Sequence, residues 1–235
     1  TSVTQTVLEG EYLMSRNIVI TGANRGIGLA LVEHYLANGD TVFAICRISS
    51  TELEAISGVT VIEGIDVTQD QNLHQLGKAL EHIDIDVLIN NAGILSEEDL
   101  GQIDYDRVER QFHVNAMGPL RTTEALLDQL REGSKIALIS SRMGSISDNG
   151  SGGSYGYRMS KAALNAAGAS LANDLKPRGI AVGLLHPGFV QTALVNHQGD
   201  IDAAEAAKRI MQRIDELNLK NTGSFRHSNG EGLPW

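Results

Sequence analysis

Tyr157 and Lys161 stand four residues apart in a stretch of helical period, so both side chains project from one helix face. A phenol at its ordinary pKa of ~10 is a poor proton shuttle near neutral pH. A close ammonium favours the phenolate and draws that pKa towards the working range. Such a pair could protonate a carbonyl oxygen or take a proton from an alcohol. Alone, Tyr-x-x-x-Lys also describes a surface tyrosine packed on a lysine stem. Tyr155 competes for the role, but the residue four beyond it is Met159, which leaves Tyr157 the better candidate. Ser140 and Ser141 end an apolar run that reads as a strand over 135–140, and ligands of open α/β sheets gather beyond the carboxyl ends of strands. There Ser141 could donate a hydrogen bond to an oxygen that becomes an alkoxide; turn chemistry is the other use of a serine at a strand end.

Gly22, Gly26 and Gly28 directly follow an apolar run over 17–21 and open a helical segment. In that context Gly22 permits a tight turn, Gly26 lets backbone approach a diphosphate, and Gly28 lets the helix pack close to the strand. The helix N-terminus adds unpaired N–H groups suited to an anion. The spacing is G-x-x-x-G-x-G rather than G-x-G-x-x-G, and a glycine-rich surface turn competes with the phosphate reading. The second strand ends at Cys46 and Arg47 with no acid to accept from a ribose 2′-hydroxyl. Arg47, with Arg25 in the glycine loop, instead offers guanidinium groups to a 2′-phosphate, which favours NADP(H) over NAD(H) unless both are simply solvated charges.

The elements that must carry these residues alternate along the chain. Strands are expected over 17–21, 41–46, 59–63, 86–90, 135–140 and 180–186, with a final edge strand over 224–227. Helices are expected over 26–38, 71–82, 155–175 and 202–217, and a long helical region over 105–130. Gly39, Pro177, Gly179 and Pro187 with Gly188 punctuate the ends. The fold class is therefore α/β, a single-domain Rossmann-type doubly wound parallel sheet with helices on both faces. No linker or composition change divides residues 14–235, while 1–13 reads as an extension or expression remnant ahead of a natural start at Met14.

Bulk properties narrow the function classes. The 235 residues are 42% hydrophobic and 20% charged, enough for one domain with a sizeable core. Nineteen Lys+Arg against 29 Asp+Glu leave a formal charge of -10, which argues against nucleic-acid or anionic-membrane partners. A single cysteine, Cys46, and the lack of a ~20-residue apolar run read as a cytoplasmic protein. Cys46 itself reads as a small hydrophobe, or a neighbour of an adenosine ribose, rather than a nucleophile. Seven histidines lack the paired spacing of a metal-binding helix, so no metal is expected; His186 reads as a packed strand-end residue. Glu97, Glu98 and Asp99 read as a solvated loop. The short stretch between Thr192 and the helix near Asp202 leaves little chain to cover a substrate, which predicts an open site.

Taken together, several groups of residues in order and spacing resemble the short-chain dehydrogenase/reductase family over about 15–235. They are Thr21, Gly22, Ala23, Asn24, Arg25, Gly26, Ile27 and Gly28; Asn90, Asn91, Ala92 and Gly93; Asn115; Ser141; Tyr157 with Lys161; and Pro187, Gly188 and Thr192. The ending Asn229 to Trp235 is similar to that of a C-factor-like and Sniffer-like carbonyl reductase subgroup. The resemblance implies an NADPH-dependent reductase of ketones or aldehydes, reversible as an alcohol dehydrogenase. Tyr157 would be the general acid, Lys161 would tune it and hold the nicotinamide ribose, and Ser141 would orient the carbonyl. Asn115 would hold a water linking Lys161 to solvent. Asn91, Ala92 and Gly93 would line the adenosine ribose, Asp66 and Val67 would meet the adenine, and Val190 and Thr192 would contact the carboxamide. It also implies a homodimer or homotetramer. A cofactor-sensing or signalling protein on the same scaffold is the alternative.

Overall fold

A computed structural model describes residues 15–235, so the expected extension over 1–13 and the start at Met14 lie outside the described residues. Seven parallel strands form one sheet in the order β3-β2-β1-β4-β5-β6-β7. They are β1 Asn17–Thr21, β2 Thr41–Ile45, β3 Thr60–Ile62, β4 Ile85–Asn90, β5 Leu130–Ile139, β6 Ala181–His186 and β7 Phe225–His227. Order reverses between β1 and β4, and such a switch point opens a crevice beyond the carboxyl ends of the strands.

Among the described residues seven α-helices connect the strands: α1 Gly26–Ala37, α2 Thr51–Glu54, α3 Asp70–Ala79, α4 Tyr105–Phe112, α5 Gly118–Ala125, α6 Tyr155–Leu175 and α7 Ala203–Glu216. Alternation along β1 shows how they sort. Ile18 and Ile20 enter a core with Leu31 of α1, Leu53 of α2 and Ile210 of α7, whereas Val19 points into the opposite core with Leu76 of α3, Leu126 and Leu164 of α6. Burying side chains of this size contributes roughly 1.5–3 kcal/mol each, so both cores hold the central strands firmly.

The expected helical region over 105–130 is interrupted. A π-helical turn, His113–Met117, separates α4 from α5, and the N–H of Gly118 bonds to the carbonyl of His113 instead of Val114. Pro119, in the first turn of α5, has no N–H for the carbonyl of Asn115 four residues earlier. The extra residue in the turn carries Asn115 to a fully buried position. The same region ends early because Leu130 already pairs with Ile85; β5 then bulges and resumes with Lys135 opposite Val87. The one-turn α2, capped by the Ser50 hydroxyl on the Leu53 N–H at 3.2 Å, was also not anticipated.

Candidate active site

Ser141 leaves the carboxyl end of β5, and Tyr157 and Lys161 occupy the first two turns of α6. The Lys161 Nζ lies 5.8 Å from the Tyr157 ring centroid and donates to the Ile139 carbonyl at 2.8 Å. A Cβ placed on Gly93 would stand 3.4 Å from Asn115 Oδ1 and 3.7 Å from Lys161 Nζ, so the π turn, the end of β4 and α6 meet at that glycine. Asn115 is pinned by the Ile94 backbone, accepting its N–H and donating to its carbonyl at 2.8 Å each, and donates to Ser160 Oγ at 3.0 Å.

The two serines separate cleanly. Ser140 Oγ donates to Asn165 Oδ1 at 2.6 Å inside the protein. Ser141 Oγ accepts from the Met143 N–H at 3.2 Å, and its own proton serves the Tyr157 phenol oxygen, so the two hydroxyls share one spot.

Electrostatics depart from the expectation that Lys161 draws the phenol's pKa down. Burial raises the Tyr157 pKa, with the hydrogen bond to Ser141 opposing it. The ammonium faces the ring and spends its hydrogen bond on Ile139, and burial lowers the Lys161 pKa to about 8. Tyr157 is accordingly a protonated acid near neutral pH, beside a lysine that releases its own proton easily.

The glycine turn lies across the switch point. Gly22 and Gly26 have φ of 65° and 55°, a conformation side-chain-bearing residues rarely adopt. A Cβ on Gly22 would lie 2.8 Å from Ala92 Cα, and one on Gly28 would lie 2.2 Å from the Gly22 carbonyl oxygen. Asn91 Nδ2 donates to the carbonyls of Thr21 and Gly22 at 3.0 and 3.1 Å, tying the end of β4 to the turn. The start of α1 has no side-chain cap at Arg25 and no acid in its first turn, so its N-terminal dipole faces outwards unneutralised. Backbone of this shape fits a dinucleotide's diphosphate. Ile27 packs towards the α1 core, while the Asn24 amide donates to the Ile48 carbonyl at 2.9 Å.

Beyond β6, the Pro187 carbonyl accepts from Ser228 Oγ at 2.7 Å, and Gly188 adopts φ of 100°. Val190 is buried and bridges Ile201, and Thr192 Cγ2 would lie 3.4 Å from a Cβ on Gly26. On the adenine side expected from the resemblance, Arg25 is exposed, and Arg47, 58% exposed, stands 3.9 Å from the Asp66 carboxylate. Burial works upward on the Asp66 carboxyl, but hydrogen bonds from Thr68 and the charge of Arg47 hold it below its ordinary range. Val67 is buried against Gly118. Arg47 and Asp66 line a cavity of about 390 Å³ with Arg110 and Val114. A larger cavity of about 620 Å³ lies between α3 and α5 and contains none of the expected site residues.

Three further placements bear on the site. Cys46 is buried, and burial, then Glu63, pushes its thiol pKa up, in keeping with a small hydrophobe. His186 packs edge-to-face on His227 with ring centroids 4.9 Å apart. The solvated-loop expectation fails for Glu98: Glu97 and Asp99 are exposed, but Glu98 is buried. Only Ser96 among its partners is local, while Gln111 and Gly156 lie 13 and 58 residues away.

An open parallel sheet with a glycine-rich turn at its switch point, and a Tyr/Lys pair beside Gly93 at the carboxyl end of β4, defines a dinucleotide-binding oxidoreductase. The chain belongs to the short-chain dehydrogenase family: the model described as short chain dehydrogenase matches residues 16–203. It is an NAD(P)-dependent oxidoreductase, as that membership entails. It is 37% identical, over 93% of its length and 99% of the relative's, to the 1-hydroxy-2-glutathionyl-2-methyl-3-butene dehydrogenase of Rhodococcus sp. (strain AD45). Among solved structures it resembles the carbonyl reductase Sniffer of D. melanogaster, with TM-score 0.87 and 31% identity, covering 94% of this chain and 100% of that one. It also resembles the NADPH-bound carbonyl reductase from chicken fatty liver, with TM-score 0.85 and 27% identity over 94% and 99% of the two chains. No helix among the described residues is long and apolar enough to cross a membrane.

Proposed function

We propose that the chain is an NADP(H)-dependent reductase of ketones and aldehydes, running in reverse as an alcohol dehydrogenase. The observation that carries this reading is the arrangement of Ser141 and Lys161 around one phenol, Tyr157, on the side of the sheet that carries the glycine turn. The nicotinamide, when bound, supplies the hydride.

The protein's own residues supply the rest. Ser141 turns its hydroxyl proton from the phenol to the carbonyl oxygen and holds it. Tyr157, kept protonated by burial, gives its proton to that oxygen as negative charge develops there. Lys161, with a pKa near 8, resupplies the phenol, and a water on Asn115 connects it to solvent. Gly22, Asn24, Gly26, Ile27 and Gly28 receive the diphosphate; Asp66, Val67, Asn91, Ala92 and Gly93 line the adenosine; Pro187, Gly188, Val190 and Thr192 border the nicotinamide. Arg25 and Arg47 are exposed, and no acid follows Cys46 at the end of β2; they favour a 2′-phosphate even with Asp66 3.9 Å from Arg47, in line with the NADPH of the chicken reductase.

Exposed Tyr105, Leu120 and Met159 on α4, α5 and α6 suit a homodimer or homotetramer contact, and a free buried cysteine suits the cytoplasm. The test is NADPH oxidation with a panel of small ketones and aldehydes. Turnover that Tyr157→Phe abolishes is expected. Cofactor binding without turnover across the panel, indifferent to Tyr157→Phe, would instead mark a sensing protein.

A further inference from the structure

We infer that Glu98 is a positioning residue for Tyr157, acting through the first turn of α6. The Glu98 side chain is buried, and its carboxylate collects three neutral donors: Ser96 Oγ at 2.6 Å, Gln111 Nε2 at 2.9 Å and the Gly156 N–H at 3.0 Å. Its main-chain carbonyl accepts the Ser154 N–H at 3.0 Å. One residue therefore holds the backbone on both sides of Tyr155, immediately before the phenol.

Helix α6 needs this outside cap. Ser154 at its start adopts φ of 47° and makes no side-chain capping bond, and the first turn contains no acid. The Glu98 carboxylate supplies both the missing acceptor and a negative charge at the helix N-terminus. The turn is also seated without slack, since a Cβ on Gly156 would lie 2.4 Å from Gln111 Nε2 and 3.0 Å from Val108 Cα. Gln111 completes the frame by accepting the Ser96 N–H at 3.0 Å and donating to Ser96 Oγ at 2.7 Å. The network thus joins the segment after β4, α4 and the start of α6.

The inference rests on the reductase reading for its consequence, and its test has a part that does not. Glu98→Gln preserves shape, but its new amide N–H group faces either Gln111 Nε2 or the Gly156 N–H, leaving two donors opposed. The expected result is a kcat lower by about tenfold to a hundredfold, as for a small misplacement of a reacting group, with NADPH affinity unchanged. In the exchange variant Glu98→Gln with Gln111→Glu, the amide at 98 can accept from Gly156 and donate to the carboxylate at 111, so kcat should return to within roughly threefold of the parent.

An unchanged kcat in Glu98→Gln, or a loss that the exchange variant leaves unrestored, overturns the inference. Should Glu98→Gln fail to fold, Ser96→Ala carries the same test, with lowered kcat at unchanged NADPH affinity expected and an unchanged kcat overturning it. Deuterium exchange over 155–158, faster in Glu98→Gln and slow again in the exchange variant, reads the clamp without any turnover. A parent enzyme inactive on all carbonyls with that exchange pattern intact would sink the reductase reading alone.

Discussion

The two ends of the sheet hold their charges in opposite ways. At the amino end, Arg16 forks onto Asp40 at 2.8 and 3.0 Å and reaches Asp215 at 2.7 Å, while Lys135 donates to the carbonyls of Ile214 and Asp215 at the end of α7. Each charge there meets an opposite charge or a helix C-terminus. At the carboxyl end, Lys161 is buried and Tyr157 and His186 are half-buried, none of the three has an opposite charge as partner, and each is displaced from its ordinary pKa. One end spends its ionisable groups on cohesion. The other pairs its outer charges, such as Arg47 with Asp66, but leaves these three uncompensated, which favours proton transfer at a cost in stability.

The largest test of that contrast pairs one substitution at each end. Tyr157→Phe should lower kcat by about 10²- to 10⁴-fold while leaving the melting temperature within a degree or two of the parent. Asp40→Ala leaves the Arg16 guanidinium without its carboxylate at a position where the acid is 4% exposed. It should cost about 3 kcal/mol by urea denaturation, with kcat per folded molecule unchanged. A large kcat loss in Asp40→Ala would erase the distinction between the two ends. Next in size, Arg47→Glu should lower kcat/KM for NADPH by about tenfold to a hundredfold and raise it for NADH, since an acid there can accept from a ribose 2′-hydroxyl. Equal use of both cofactors by the parent would count against the role given to Arg47.

A last test concerns acid. Burial, then His227, Arg142 and Lys161, lowers the His186 pKa to about 3 from 6.5. The unfolded chain therefore takes up this proton first, and stability should fall as pH drops from about 6.5 towards 3. Asp40 behaves otherwise. Burial opposes its ionisation, but hydrogen bonds from Arg16 and Asn38 hold its carboxyl below 3.8, so its contribution is lost only under more acid conditions. Between pH 6.5 and 4 the urea midpoint should decline, and His186→Leu should flatten that decline; an unaltered slope would show the acid sensitivity to lie elsewhere.

Much of this was legible in the sequence because it is local. Periodicity and glycine or proline punctuation placed every strand, and α6 occupies the residues expected of it, Tyr155–Leu175. The glycine turn and the Tyr157–Lys161 spacing could be read because each lies on one short segment. What escaped depends on distant partners. Glu98 looked solvated because its own stretch is acidic, and only the fold brings Gln111 and Gly156 to it. Leu130 looked helical, and 131–134 looked like a connection, because the bulge that admits them to β5 is set by pairing with β4. The displaced acidity of Tyr157 follows from burial and from which face of the ring meets Lys161, neither of which spacing reveals.

The wide turn between α4 and α5 has a consequence for how the family scaffold can vary. It amounts to one residue inserted into an otherwise ordinary helix, stabilised where Pro119 withholds a donor from Asn115. A donor-bearing residue at 119 would remove that bias towards the wide turn, and closing it up would rotate the helix after it by roughly 100° per residue lost. The depth of the asparagine beside the proton route is thus governed by a ring four residues further along the chain, a lever that adjusts the site from its scaffold.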